Sequence, residues 1–186
     1  MSGNGFAVCL NGVTKRFANQ VAVSNFDLAV PRGVICGLLG PNGSGKTTTI
    51  RMIMGILHPD EGSVSLFGAG AEESHRARIG YLPEERGVYR KMKCLEFVLF
   101  LSEIRGVPRA DGKRRAFEWF ERLGLTDWAD KKLEDLSRGM QQKIQFISAV
   151  IHEPELLILD EPFSGLDPIN QDILEEIVHD LQGKGA

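Results

Sequence analysis

The spacing of apolar positions changes several times along the 186 residues. Residues 6–10 and 20–30 alternate in part and carry Val, Phe and Leu, which predicts antiparallel strands with one face turned to a core. Pro31, Arg32 and Gly33 make a turn. Residues 34–39 (VICGLL) are an unbroken apolar run of strand length, the pattern of a strand buried on both faces in a parallel sheet. Residues 46–57 switch to helical spacing and close at His58-Pro59-Asp60. Strands are predicted again over residues 62–67 (GSVSLF), 78–82 (RIGYL) and 156–159 (LLIL), the last a second buried strand that ends in Asp160 and Glu161. Residues 94–105 and 113–123 alternate apolar and charged positions at helical spacing, with Gly106-Val107-Pro108 between them. Ser137 stands as the N-cap of a helix running to about residue 152, and a last helix is expected over residues 170–182. The order is β, mixed α/β, a helical insert, then α/β again, which predicts an α/β fold. No repeat or low-complexity segment interrupts it.

Bulk properties narrow the classes. The length suffices for one domain with a sizeable core and a small attached lobe. The chain is 42% hydrophobic and 25% charged, an ordinary globular composition, and its net charge of −3 supplies no basic field for nucleic acid. Lys113-Arg114-Arg115 reads as a solvated helix face, so no nucleic-acid partner is expected. Phe117, Trp119 and Phe120 read as core of the helical insert. Residues 94–101 (CLEFVLFL) read as core too, with a groove for a membrane partner as the alternative. Cys9, Cys36 and Cys94 are odd in number and lack zinc spacing, which suits a reducing compartment. The first residues lack a basic stretch followed by an apolar one, and no apolar run approaches the roughly 18 residues of a spanning helix. Work at a membrane would need another chain to cross it.

The chemistry sits at the ends of the two apolar runs. After residues 34–39 comes Gly40-Pro41-Asn42-Gly43-Ser44-Gly45-Lys46-Thr47-Thr48. A strand, then G-x-x-x-x-G-K-T, then a helix is a phosphate-binding loop in its required context. Glycines let backbone N–H groups turn inward around a polyphosphate, and the helix N-terminus adds its positive end. Lys46 is placed for the β- and γ-phosphates, and the Thr47 hydroxyl for Mg²⁺. The second apolar run delivers Asp160 to the Mg²⁺ shell and Glu161 to the attacking water, as base or orienting group. Alone, a strand ending in two acids is equally a solvated strand end; the phosphate loop gives it meaning.

Leu136–Lys143 (LSRGMQQK) precedes this strand and resembles the signature motif of ATP-binding-cassette (ABC) ATPases, usually LSGGQ. LDEPFSGLDP, ending at Pro168, resembles that family's Walker B motif and D-loop. The motifs occur in the family's order and cover nearly the whole chain. The resemblance implies a P-loop NTPase core with an antiparallel β lobe and a helical signature lobe. It divides the chain as residues 6–82 for the β lobe and phosphate loop, 83–152 for the Q-loop and helical lobe, and 153–186 for Walker B and the D-loop. It implies a head-to-tail pair with a second ABC ATPase subunit of the same chain. Ser137 and Gly139 of one copy would then face the γ-phosphate held by the other. Phe17 matches the aromatic that stacks on adenine, with a core phenylalanine as the alternative. YLPEERGVYRKM matches the Q-loop and, with the signature, the sodium- and drug-efflux branch.

Three departures stand out. Glu84 replaces the Q-loop glutamine, and its carboxylate near a metal would bind Mg²⁺ more strongly while repelling the γ-phosphate. Arg138 and Met140 replace commoner Gly and Gln in the signature without removing the Ser137 and Gly139 donors. The family's switch histidine has no counterpart: His58, His75, His152 and His179 stand in other contexts. The resemblance therefore suggests a C-terminally truncated domain. The expected function is hydrolysis of MgATP to power an exporter through an integral membrane permease, from the cytoplasmic face of the membrane. A soluble ABC ATPase acting on another machine and a nucleotide-binding regulatory module remain as alternatives.

Overall fold

The computed structural model describes residues 5–18, 20–70, 73–84, 87 and 89–185. Glu85, Arg86 and Val88 of the Q-loop stretch lie outside them. The chain divides into two compact units, one reaching to Arg76 and the other running from Ala77 to Lys184.

The first unit is built on an antiparallel sheet of β1 (Phe6–Phe17), β2 (Gln20–Pro31), β3 (Glu61–Leu66) and β4 (Ala69–Gly70), in the order β2-β1-β3-β4. β1 runs well past residue 10, where the strand was expected to end. The reason is a bulge: Gly12 takes φ 56°, its N–H donates to Asp27 Oδ1 at 2.7 Å, and the pairing with β2 shifts register between Leu10 and Val13. Val8, Leu10, Val13 and Leu66 are buried, and the helix α1 (Lys46–Ile53) buries Ile50, Met52 and Ile53. Each such side chain contributes about 1.5–3 kcal/mol of burial.

Residues 34–39 do not form the expected buried strand. Val34, Ile35 and Leu39 are 46%, 53% and 92% exposed. An apolar run becomes a strand only by pairing, and no strand among the described residues pairs with this one.

The second unit holds a parallel pair, β5 (Ile79–Leu82) beside β6 (Leu156–Leu159), in register from Ile79 with Leu156 to Leu82 with Leu159. The ladder continues past both ends: the Glu155 N–H donates to the Arg78 carbonyl and the Asp160 N–H to that of Leu82, each at 2.9 Å. Around the pair lie α2 (Cys94–Ile104), α3 (Arg109–Arg122), α4 (Arg138–Val150) and α5 (Pro168–Gly183). Gly80 lets α4 approach: a Cβ there would run into the Ala149 carbonyl oxygen and sit 2.9 Å from Leu157 Cδ1. Phe97, Val98, Phe120, Leu133, Ile144, Phe146, Ile147 and Leu174 fill the core, while the residues of β6 are half-buried rather than fully enclosed. Trp119 packs edge-on against Phe146, but Phe117 is 39% exposed and not the core residue its spacing suggested. Its ring meets that of Phe120 edge-on.

Candidate functional site

The phosphate loop lies in the first unit. Gly43 and Gly45 have φ 79° and 92°, a left-handed backbone open to glycine at little cost. Gly45 is required twice over, because a Cβ there would sit 2.5 Å from the Ala22 carbonyl oxygen on β2. It is also the N-cap of α1, with no side-chain cap and no acidic residue in the first turn. The first turn of a helix leaves its N–H groups without intrahelical partners, so this end faces outward as a positive, uncapped cradle. The buried side chains of α1, from Thr49 to Ile53, anchor that turn, while Lys46, Thr47 and Thr48 stay half-buried at its mouth. The Lys46 ammonium donates to the carbonyls of Gly40 at 2.8 Å and Pro41 at 3.1 Å. It thus bridges back over the loop that carries Asn42 and Ser44, and the Ser44 N–H closes a turn onto the Pro41 carbonyl at 3.2 Å. Phe17 ends β1 beside Gln20 and is 46% exposed, so it is not a core phenylalanine; the Lys15 ammonium lies 5.8 Å from its ring centre.

The acids and the signature lie in the second unit. Asp160, directly after β6, is 5% exposed. Glu161 is exposed and takes φ 52°, which costs an L-residue of order 1–2 kcal/mol. The Ser164 N–H donates to the Glu161 carbonyl at 3.1 Å, so the acid begins a turn. Glu84 is exposed, past Pro83 at the end of β5. Ser137 caps α4: its Oγ accepts from the Met140 N–H at 3.3 Å, which leaves the hydroxyl hydrogen to donate elsewhere. Gly139 faces Leu166, whose Cδ2 would lie 3.3 Å from a Cβ at that position.

Spacing alone missed two contributors. Asp167 caps α5, accepting from the Asn170 N–H at 3.0 Å and its side-chain amide at 2.6 Å, and these bonds hold its carboxyl below the usual range. The Asp167-Pro168 pair was the available signal, because proline favours the first helical position. Gln142, 3% exposed, donates from Nε2 to the Pro162 carbonyl at 3.2 Å. Its place inside LSRGMQQK marks it only as part of a helix.

Thr47 in the first unit, and Glu84 and Asp160 in the second, each carry a hard oxygen donor of the kind Mg²⁺ takes. No cluster of three His, Cys, Asp or Glu suited to a metal occurs among the described residues. No helix among the described residues is long and apolar enough to cross a membrane.

Comparison with known proteins places these features in a family. The ABC transporter family model matches residues 23–164. An uncharacterized ABC transporter ATP-binding protein of Bacillus subtilis, YhaQ, is 50% identical over 95% of this chain and 59% of its own length. The linearmycin resistance ATP-binding protein LnrL of the same bacterium is 36% identical over 93% of this chain and 57% of its own. This chain thus spans somewhat over half the length of these curated relatives. A solved ATP-binding subunit of an ABC transporter superposes with a TM-score of 0.87 at 30% identity, over 97% of this chain and 76% of that one.

Proposed function

The chain belongs to the ABC transporter family, and from that premise we propose that it binds MgATP and hydrolyses it to drive a membrane exporter. The phosphate loop carries the reading: glycines held left-handed, an uncapped helix N-terminus and a lysine at its mouth make a site for a polyphosphate and for little else. Gly40 to Thr48 wrap the phosphates, and Lys46 exchanges the Gly40 and Pro41 carbonyls for β- and γ-phosphate oxygens. The exposed Phe17 stacks on the base. Thr47, Asp160 and Glu84 would each offer an oxygen to Mg²⁺, which would neutralise phosphate charge. Glu161 takes the proton of the attacking water. Ser137 and Gly139 face the nucleotide of a second copy in a head-to-tail pair. The partner is an integral membrane permease, reached from the cytoplasmic face. The resistance relative supports the direction of transport, outward.

The test uses the full-length protein. Lys46→Ala should weaken ATP binding by about tenfold or more, since a charged hydrogen bond contributes roughly 1.5–3 kcal/mol. Glu161→Gln should keep binding, lose most hydrolysis and form an ATP-dependent dimer by light scattering. An unchanged ATP affinity of Lys46→Ala by calorimetry would remove the reading. The Mg²⁺ dependence of hydrolysis in Glu84→Gln reads the metal set. Copurification with a soluble machine instead of a membrane protein would favour the uncoupled ATPase, and binding without phosphate release the regulatory module.

A further inference from the structure

We propose that Gln142 is a positioning residue for Glu161, fastening the turn from which that carboxylate is presented. The inference rests on the reading of Glu161 as the group acting on water. Glu161 is exposed, so packing does not fix its side chain, and its aim depends on its backbone. That backbone is left-handed, a conformation that persists only where the surroundings impose it. The turn is closed by the Ser164 N–H on the Glu161 carbonyl and the Leu166 N–H on that of Phe163, both at 3.1 Å. These are local bonds and move with the turn. From outside it, the Gln142 amide reaches the Pro162 carbonyl at 3.2 Å, Leu166 packs over Gly139, and Gln171 Nε2 reaches the Leu166 carbonyl at 3.1 Å. The Asp160–Leu82 ladder bond holds the residue before Glu161, and Gln142 fastens the residue after it. Gln142 is buried, so its bond to the half-buried Pro162 is partly shielded from competing water. It also stands on α4, the helix whose N-terminus presents Ser137 and Gly139. The aim of the acid is thereby set by the helix that carries the signature.

The chemistry asks for an amide donor. Methionine fills a similar volume with nothing to donate, and glutamate sets an oxygen against the Pro162 carbonyl. In the full-length protein, Gln142→Met should speed amide hydrogen exchange at Ser164 and Leu166 about tenfold, leave α4 protected, and lower kcat about tenfold, with KM for ATP unchanged and Tm lowered by only a few degrees. Gln142→Glu should lower kcat further, and it serves if the methionine variant does not fold. In a Glu161→Gln background neither change should cost further turnover. Unchanged exchange at Ser164 and Leu166 would overturn the proposal, as would faster exchange with wild-type kcat. If Glu161→Gln hydrolyses ATP normally while Gln142→Met still loosens the turn, the catalytic reading of Glu161 fails and the fastening stands.

Discussion

Residues 34–39 and Leu156–Leu159 are both short apolar runs, and both end at candidate site residues. Their fates differ. Leu156–Leu159 pairs in register with Ile79–Leu82, and α4 closes down over the glycine at the centre of that neighbour. Residues 34–39 pair with no described strand and leave Leu39 92% exposed. Apolar character is shared; a backbone partner is not. Pairing satisfies the N–H and C=O groups that burial would otherwise strand, so the partner decides which run can be buried. The phosphate loop keeps its shape all the same, because Gly45 packs on β2 and α1 is anchored by its own buried face.

The strongest way to break the contrast is to push α4 off β5. Gly80→Val forces a side chain into the Ala149 carbonyl and should cost about 3 kcal/mol or more, read as a lower urea midpoint of the second unit. The next test compares the runs directly. Leu159→Ala, against the core, should cost about 2 kcal/mol. Leu39→Ala should stay within about 0.5 kcal/mol, and an equal loss at both would show that residues 34–39 are buried in solution.

A pH titration sharpens the same support. His152 bonds the Ile79 carbonyl at the start of β5 through Nε2 at 3.1 Å. Burial, then the charge of Arg105, lower its pKa from 6.5 to about 4, against the pull of that bond. The unfolded chain therefore binds the proton first: stability is full above about 6.5 and falls as pH drops toward 4. His152→Asn should flatten that slope in chemical unfolding at stepped pH, and an unaltered slope would mean the imidazole is solvated. The smallest effect belongs to Arg78 and Glu155, paired at 2.6 Å on both arms just before β5 and β6. They are partly exposed, so Glu155→Gln should cost less than about 1 kcal/mol, a loss that salt reduces in the unsubstituted protein.

Much of the site was legible in the chain because its signals are local. G-x-x-x-x-G-K-T needs only its own glycines and the helix behind it, and Ser137 needs only the helix it caps. Most helices were readable to within a few residues for the same reason. Bulges, caps of mixed signal and pairings were not. The strand expected over residues 6–10 runs on through a bulge at Gly12, because Asp27 across the sheet takes up the Gly12 N–H. Gln142 reads as an ordinary helical glutamine, and its meaning comes from a carbonyl twenty residues on. By itself the sequence determined the family, the fold class and the candidate residues. Only the tertiary structure decided which apolar run became a strand, because a strand's hydrogen bonds belong to its neighbour and no residue carries them alone.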